Sequence, residues 1–322
     1  MDIVYTREAI EYKGNEIPEG KYRLEGIHQV GRKVDPDVEG LSKIQLVHTE
    51  EHIRQVQKAG ERSGFLAEVH TDGETFQAAV RSTGLAWYAA RRGHFACTRP
   101  PGHHATSAIS KGFCFFNNMA IVTQALLNEG HKVCILDIDG HQGDGTEQIF
   151  YDSDEVLFFS VHQELVYPFY GQGYHTGNDY DRTVDRHGKN AGEGFTYNIP
   201  VPAKSGDDVL LGFLEHSVSH IREFSPDYIG ISAGFDGYQK DALLNLNYSQ
   251  QGYYEFGQAV EDLGAETFAV LEGGYHRDVI ECIHALVNGL NNKEYPSDQE
   301  RTSSSEETLS RFGDYLKRAD SF

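Results

Sequence analysis

From about residue 80 onward, apolar segments typical of β-strands alternate with segments that have the apolar periodicity of helices. This alternation is typical of a parallel sheet whose strands are joined by crossover helices that cover both of its faces. A chain of 322 residues is within the size of one large α/β domain. The predicted strands are 94–100, 132–138, 155–161, 227–233 and 267–273, and the predicted helices are 77–91, 117–130, the segment after Gly145, 207–224 and 249–264.

We therefore predict a single three-layer α/β domain over residues 1–293, with a mostly parallel central sheet flanked by helices. The chain then becomes polar, and residues 294–322 are predicted to form a polar linker followed by a C-terminal helix. Residues 165–195 carry many glycines and tyrosines without periodicity, and a loop this long in a compact domain is usually functional.

Composition restricts the class of protein. The 49 acidic and 28 basic residues give a net charge of −21, which disfavours binding to nucleic acid or to an anionic membrane and favours cationic partners. No apolar run approaches the ~20 residues of a membrane span, and the N-terminus lacks the pattern of a signal peptide. The four cysteines form no CxxC pair, so neither a disulfide framework nor a thiolate zinc site is indicated. We expect a cytoplasmic protein.

Polar clusters follow the predicted strands. "RPPGHH" comes after the first, "DIDGHQGDG" after the second, and "SVH", "AGFD" and "EGGY" after the other three. Ligand sites of open parallel sheets lie at the carboxyl ends of strands, so these clusters are predicted to meet in one crevice.

The clusters contain a set of metal ligands. Asp139 and His141 are two residues apart after a strand, so their side chains point to the same side, and Asp236 follows another strand. Two carboxylates and one imidazole suit zinc in a catalytic site, where three protein ligands leave a position for water. Fe2+ or Co2+ would accept similar ligands.

Other polar residues of the clusters suit acid–base chemistry. His103 and His104 can transfer a proton near neutral pH, and Asp137 and Asp144 are the carboxylates available to orient their rings. Tyr275 follows a glycine pair and could donate a hydrogen bond to a developing oxyanion.

Taken together, these motifs resemble the histone deacetylase superfamily, which includes acetylpolyamine amidohydrolases and has an arginase-like α/β fold. The resemblance runs from about residue 45 to 290. It rests on "RPPGHHA" (99–105), "GFCFFNN" (112–118), "DIDGHQGDGT" (137–146), "SVHQ" (160–163), "SAGFDG" (232–237) and "LEGGYH" (271–276), in the family's order.

The resemblance implies a role for each catalytic residue. His104 would be the general base and acid with Asp144 as its partner, and His103 would be a second, electrostatic histidine held by Asp137. Tyr275 would polarise the acetyl carbonyl opposite the zinc, which would be bound by the three ligands named above.

The resemblance also implies a substrate tunnel. Gly112 and Phe113 would form one wall, Tyr170 is a candidate for the other, and Gly274 would line the acyl end. Asp72 is a candidate for the acidic residue that grips the substrate backbone in some members.

Family members also hold structural potassium ions. The first would use Asp137, Asp139, His141, Ser160 and Val161, partly through backbone carbonyls, and the second would use Phe150, Ser153, Val156 and Phe195.

The sequence departs from the family pattern in places. Gln142 replaces a second histidine and cannot titrate, and Gly140 replaces a bulkier residue, which could loosen the metal loop. Ala242 and Leu244 stand where the family often has proline and glycine, and the rim "YPFYGQG" lacks the family's proline, which affects the assignment of Tyr170.

We expect a zinc-dependent hydrolase that removes acetyl from an N-acetylated primary amine, either an acetylpolyamine or acetyllysine. The substrate partner would be an acetylated cationic amine, and a homo-oligomer is left open. Two alternatives are an acetylamine-binding protein without catalysis and a manganese ureohydrolase of the related fold. The ureohydrolase would need an aspartate two residues after the metal histidine, where this chain has Gly143.

Overall fold

An eight-stranded parallel sheet forms the centre of the molecule in the computed structural model, which describes residues 1–15, 17–36, 40–168, 181–295 and 299–321. The order of its strands is β2-β1-β5-β10-β9-β6-β7-β8, and β3 and β4 form a separate antiparallel hairpin. The strands are β1 (Ile3–Tyr5), β2 (Arg32–Lys33), β3 (Gly64–Leu66), β4 (Val69–Thr71), β5 (Phe95–Ala96), β6 (Val133–Asp137), β7 (Val156–Gln163), β8 (Thr196–Val201), β9 (Tyr228–Ala233) and β10 (Glu266–Leu271).

Helices connect and cover these strands, and several begin at side-chain caps. Asn117 accepts a hydrogen bond from the Ala120 N–H, and Ser249 and Ser305 cap later helices in the same way. The helices are α1 (Arg7–Glu11), α2 (Gly40–Ile44), α3 (Glu50–Glu61), α4 (Thr75–Ala90), α5 (Asn118–Asn128), α6 (Asp144–Phe150), α7 (Asp207–Phe224), α8 (Gln250–Glu261), α9 (Val279–Leu290) and α10 (Glu306–Ala319), with 3-10 turns at Lys21–Leu24, Ile27–Gln29, Arg182–Asp185 and Asn190–Gly192. None of the described helices is both long and apolar enough to cross a membrane.

Both faces of the sheet are buried. Along β6, Cys134 and Leu136 pack into a core with residues of α7, α8, α9 and α10. Val133 and Ile135, which alternate with them, pack on the other face with residues of α4 and α5. Side chains of a strand alternate between the two faces of a sheet, so this pattern produces three layers. The predicted fold class, a three-layer α/β domain with a parallel sheet, is confirmed.

The sheet order explains why the polar clusters meet. Strands β5, β10, β9, β6 and β7 are consecutive neighbours in the sheet, although up to about 170 residues separate them in the chain. Each of the five carries one of the polar clusters at or directly after its carboxyl end, with "SVH" inside the last residues of β7, and all five are parallel.

Candidate functional site

Three side chains converge just beyond the carboxyl ends of β6 and β9. Nδ1 of His141 lies 3.2 Å from Asp139 Oδ1 and 2.8 Å from Asp236 Oδ2. The three potential ligand atoms lie within 4.8 Å of one another, and both carboxylates are buried. The structure therefore brings together the three residues that the sequence predicts as metal ligands.

Backbone N–H groups hold the two carboxylates in place. Gly140 donates to Asp236 Oδ1 at 2.6 Å, and Gly273 donates to Asp139 Oδ2 at 2.7 Å. A Cβ atom at position 273 would overlap both carboxylates, so only glycine allows this approach. Burial and the neighbouring Asp139 raise the pKa of Asp236 to about 6. A divalent cation would remove this repulsion, and two carboxylates with one imidazole form a donor set that fits zinc.

The tandem histidines lie beside this cluster, and each is oriented by its own carboxylate. Nδ1 of His103 lies 3.0 Å from Asp137 Oδ2, and Nδ1 of His104 lies 2.8 Å from Asp144 Oδ1. The ring centroids are 4.0 Å apart. Both predicted pairs are therefore present, and each leaves Nε2 as the ring nitrogen not engaged by its aspartate.

The two histidines differ in their electrostatic environment. Burial and the neighbouring His103 lower the pKa of His104 to about 4, although Asp144 opposes them. Burial also acts to lower the pKa of His103, but the carboxylates of Asp139 and Asp137 outweigh it and raise that pKa. These shifts favour a neutral His104 near pH 7, as a general base must be, and favour the protonated form of His103.

The backbone around the histidines is fixed by a residue that the sequence analysis did not single out. Oε2 of Glu272 accepts the N–H groups of Gly102 and His103 at 2.7 and 3.0 Å, and Ser232 donates to its other oxygen. Glu272 is fully buried, which raises its pKa to about 7. Its position at the start of "EGGY" is the only sequence signal for this role.

Tyr275 is positioned by contacts on several sides. The preceding Gly274 has φ +109°, and its carbonyl accepts a hydrogen bond from Arg23 Nε at 2.7 Å. The Arg23 guanidinium lies 4.7 Å from the centre of the Tyr275 ring, and the Tyr275 N–H donates to Asp241 at 2.6 Å. Burial raises the pKa of Tyr275, so its hydroxyl keeps its proton and can donate.

Both histidines, Asp139, His141 and Tyr275 line a cavity of about 370 Å³. Gly112 and Phe113 form part of its wall, and a Cβ atom at Gly112 would overlap the His104 ring. Phe113 has φ +66° and its ring lies 5.8 Å from that of Tyr275, an unusual backbone conformation of the kind that clusters at functional sites. The cavity is lined by Glu68, His103, His104, Gly112, Phe113, Asp139, His141, Tyr167, Leu243 and Tyr275.

The sequence also predicts Tyr170 and Asp72 as substrate-binding residues, and neither is among the described residues that line the cavity. Tyr170 lies outside the described residues, but Tyr167, three residues earlier, lines the cavity, and its ring is perpendicular to that of His104 at 5.0 Å. Asp72 does not line the cavity; its carboxylate accepts the Glu74 N–H at 2.9 Å at the start of α4. Glu68 lies there instead, because the β3–β4 hairpin carries it to the cavity and its carboxylate accepts the Gly112 N–H at 2.8 Å.

The departures around the metal cluster are accommodated by packing. A Cβ atom at Gly140 would overlap Leu244 Cδ1, so the larger side chain at 244 fills the space that the small residue at 140 leaves. Nε2 of the buried Gln142 donates to Glu147 at 2.6 Å and to Asn198 at 2.9 Å. Gln142 therefore has a structural role next to the site.

The structure also places the residues predicted to bind potassium. Asp137 and Ser160 are partners in the register of β6 and β7, and Val161 follows directly. For the second set, the Phe150 carbonyl accepts the Ser153 N–H, the Phe195 carbonyl accepts the Phe158 N–H, and Val156 begins β7. Both potassium sites stay predictions.

Comparison with known proteins places this site in a family. The family described as "Histone deacetylase domain" matches residues 20–290. A probable deacetylase of Archaeoglobus fulgidus is 36% identical over 286 residues, which cover 84% of this chain and 75% of that protein. Acetylpolyamine amidohydrolase 1 of Pseudomonas aeruginosa is 39% identical over 192 residues, which cover 59% of this chain and 53% of that protein.

Solved structures show the same fold. The HDA15 HD domain superposes with a TM-score of 0.86 and 27% identity, and the match covers 99% of this chain and 96% of that one. An acetylpolyamine aminohydrolase from Burkholderia pseudomallei superposes with a TM-score of 0.78 and 24% identity, covering 90% of this chain and 99% of that one.

Proposed function

The chain belongs to the histone deacetylase family, and we propose that it is a zinc-dependent amidohydrolase that removes the acetyl group from an N-acetylated cationic amine. One observation carries the proposal: Asp139 and His141 of the three-ligand cluster, His104 of the His104–Asp144 pair, and Tyr275 all line the same cavity. Relatives named as acetylpolyamine amidohydrolases and as deacetylases support the reaction class.

The residues of the chain can be assigned to steps of amide hydrolysis. When bound by Asp139, His141 and Asp236, zinc would polarise the amide carbonyl and acidify a water. His104 would accept a proton from the attacking water, since its ring is neutral and Asp144 fixes its tautomer. It would then return that proton to the departing amine, which leaves as a neutral molecule.

One donor and one positive charge would support the transition state. The Tyr275 hydroxyl would donate to the oxyanion that develops on the acetyl oxygen. The positive charge on His103 would stabilise the same negative charge from nearby, and Asp137 would hold its ring. The potassium sites proposed above would rigidify the strand ends that carry these groups.

The substrate we propose is a cationic acetylated amine, either an acetylpolyamine or an acetyllysine side chain. The aromatic rings of Phe113 and Tyr167 would enclose its aliphatic part. Glu68 lies among the cavity residues with an exposed side chain, so its carboxylate would face a positive charge beyond the tunnel.

The ureohydrolase alternative is disfavoured by packing at position 143. A Cβ atom there would overlap Asp137 Oδ2, so the backbone leaves no room for the aspartate that a second metal would need. A binding protein without catalysis would be expected to lack one of the catalytic groups, whereas both histidine–aspartate pairs and Tyr275 are in place.

Metal removal and a substrate series test this proposal together. Protein treated with a chelator should lose hydrolysis of acetylspermidine, acetylputrescine and an acetyllysine peptide, and stoichiometric Zn2+ should restore it. Fe2+ and Co2+ are added in parallel to identify the metal that supports the highest rate. Full activity in metal-free protein, or no acetate release from any of the substrates after reconstitution, would contradict the proposal.

A further inference from the structure

A second cluster of potential metal ligands lies away from the catalytic cavity, where α7 meets the end of α10. His216 and His220 are four residues apart on α7, so their rings lie on the same face one turn apart. Asp320 directly follows α10. The potential ligand atoms of these three residues lie within 4.8 Å of one another.

The distances in this cluster suit a shared ion better than direct hydrogen bonds. Nε2 of His216 lies 3.4 Å from Asp320 Oδ1, and Nε2 of His220 lies 3.6 Å from the same oxygen. Both separations exceed those of ordinary N–H···O hydrogen bonds. Ligands at about 2.0–2.2 Å from a tetrahedral zinc are about 3.4 Å from each other, which is close to what is observed.

One imidazole nitrogen in the cluster is buried and unsatisfied. Nε2 of His216 is shielded from solvent and has no hydrogen-bond partner among the described residues. A buried polar atom without a partner is costly, and bound metal would satisfy it.

The other histidine is already oriented for coordination. Nδ1 of His220 lies 3.2 Å from the hydroxyl of Tyr197 on β8, which leaves Nε2 facing Asp320. Histidines that bind metals almost always use their second ring nitrogen for a hydrogen bond of this kind.

We propose that His216, His220 and Asp320 bind a divalent transition-metal ion of the zinc class at a site remote from the catalytic centre. Two imidazoles and a carboxylate are ligands that Zn2+ accepts, with water at the fourth position. The ion would link α7 to the end of α10 and so fasten the C-terminal helix to the sheet domain.

Helix α10 also contacts the chain before and after residues 169–180. The Tyr315 hydroxyl on α10 donates to Glu164 Oε2 at 2.6 Å and accepts the Asp181 N–H at 3.0 Å. Arg318 pairs with Asp185 at 2.5 and 2.7 Å. α10 therefore holds the chain on both sides of residues 169–180, and the proposed ion would stabilise this arrangement.

Elemental analysis of the full chain after equilibration with Zn2+ and removal of loosely bound metal tests the proposal. Wild-type protein should contain one more equivalent of zinc than the Asp320→Ala variant. Asp320 is exposed, so its substitution should leave the fold intact. The matched control is Asp314→Ala, which removes a half-exposed carboxylate of the same helix and should leave the zinc content unchanged.

A second variant separates coordination from a purely structural contact. Tyr197→Phe keeps the ring stacked on Phe159, whose centroid is 4.8 Å away, but removes the hydroxyl that orients His220. Loss of such a partner should weaken zinc binding at this site about 10- to 100-fold, measured by competition with a chromophoric chelator.

Two results would overturn the proposal. One is equal zinc content in wild-type protein and Asp320→Ala, which would leave only the catalytic ion or none. The other is the same loss of zinc in Asp314→Ala, which would show that the effect arises from the helix and not from the ligands. Because the comparison is a difference between variants, it does not depend on whether the catalytic site is active.

Discussion

The hydroxyl of Tyr275 is the donor that we propose for the developing oxyanion, because burial raises its pKa and Arg23 and Asp241 fix the residue. Tyr275→Phe should reduce kcat about 10²- to 10³-fold, the typical loss on removal of one such donor. Zinc content should be unchanged, since the ring does not bind the metal. Steady-state kinetics with an acetylated amine and elemental analysis would measure both.

Tyr253→Phe is the matched control for this variant. It removes a buried tyrosine hydroxyl from a residue that does not line the cavity. Near wild-type kcat in Tyr275→Phe would show that this hydroxyl has another role.

The Leu244 side chain occupies the space that a side chain at position 140 would need. We therefore predict that substitutions at the two positions are energetically coupled. Gly140→Ala alone should cost about 1–3 kcal/mol because its Cβ overlaps Leu244. Leu244→Ala alone should cost about 2–5 kcal/mol because it leaves a cavity. The double variant should be more stable than the sum of the two predicts, by at least about 0.5 kcal/mol.

Unfolding in urea would measure all four free energies of this cycle. The comparison cycle uses Leu243→Ala, since Leu243 is 43% exposed and is not among the atoms that a side chain at 140 would meet. Additive costs in the Gly140–Leu244 cycle would mean that the neighbours relax independently of position 244.

The buried Glu147 carboxyl accepts a hydrogen bond from Gln142. Its raised pKa leads us to predict that the stability of the protein depends on pH. Burial raises the pKa of Glu147 from 4.5 to about 7, although Arg186 opposes this at 2.7 Å. Because the folded state retains this proton at a higher pH than the unfolded state, the contribution to stability is present below about pH 4.5 and is lost as the pH rises to about 7. The full difference corresponds to about 3 kcal/mol.

The melting temperature of wild-type protein relative to Glu147→Gln should therefore fall between pH 5 and 7 and level off above. Glu155→Gln, which alters an exposed carboxyl, is the control and should follow wild type throughout. A constant difference between wild type and Glu147→Gln across this range would contradict the assignment.

At the residue level, the sequence located side chains that the fold brings together where each of them follows a strong local signal. Asp139, His141 and Asp236 lie at strand ends, and the fold brings them together. Tyr167 and Glu68 were not predicted, because their positions depend on how a rim segment and a two-stranded hairpin lie over the cavity. No periodicity in the sequence encodes that placement.

At the level of elements, long apolar segments were recognised more reliably than short ones. Helix α7 has the predicted bounds, 207–224. Strand β6 is one residue shorter than predicted at each end, and β9 is one residue shorter at its start. The predicted strand 94–100 is reduced to Phe95–Ala96, because "RPP" turns the chain toward the site and proline cannot continue a ladder. Strand β8 and helix α9 were not predicted. Strand β8 includes Pro200, which weakens its strand pattern in the sequence. Proline is tolerated there because β8 is an edge strand of the sheet.

The contacts of helix α10 allow us to test whether the C-terminal segment affects substrate binding. Tyr315→Phe keeps a fully buried ring but removes the hydroxyl that bonds Glu164 and Asp181 on either side of residues 169–180. We expect KM to rise several-fold with a smaller change in kcat, because Tyr167, which lines the cavity, directly follows the chain held by Glu164.

Separate measurement of kcat and KM would check this, with Leu309→Ala as an exposed control on the same helix. A fall in kcat with KM unchanged would instead connect α10 to the chemical step.

At the level of the whole molecule, buried charges connect the N-terminal segment to the chain that carries Tyr275. Glu19 bonds Arg99 at 2.7 and 3.0 Å and Arg23 at 3.0 Å, and all three side chains are fully buried. Arg23 in turn bonds the carbonyl groups of Glu272 and Gly274. The sequence could not predict this network, because Arg99 and residues 272–274 are far from Glu19 and Arg23 in the chain and the residue identities alone do not specify the pairing.

The net charge of −21 belongs to the whole chain and not to the site alone. It leads us to predict that the capture of a cationic substrate depends on salt. An acidic protein raises the local concentration of a cation, and salt screens this attraction over about 10 Å at 0.1 M. The kcat/KM for acetylspermidine should therefore fall several-fold between about 0.02 and about 0.5 M salt. An uncharged N-acetylated alkylamine, which has the same acyl end, should show little change.

Glu68→Gln identifies how much of this effect arises beside the cavity. Its exposed carboxylate should contribute to both the kcat/KM for acetylspermidine and its dependence on salt, so both should decrease in the variant. Glu51→Gln removes the same charge from the exposed face of α3 and serves as the control. If both variants behaved alike, the overall charge would attract the substrate without a specific carboxylate at the tunnel. If the uncharged substrate were equally sensitive to salt, the acidity of the chain would have no part in substrate capture.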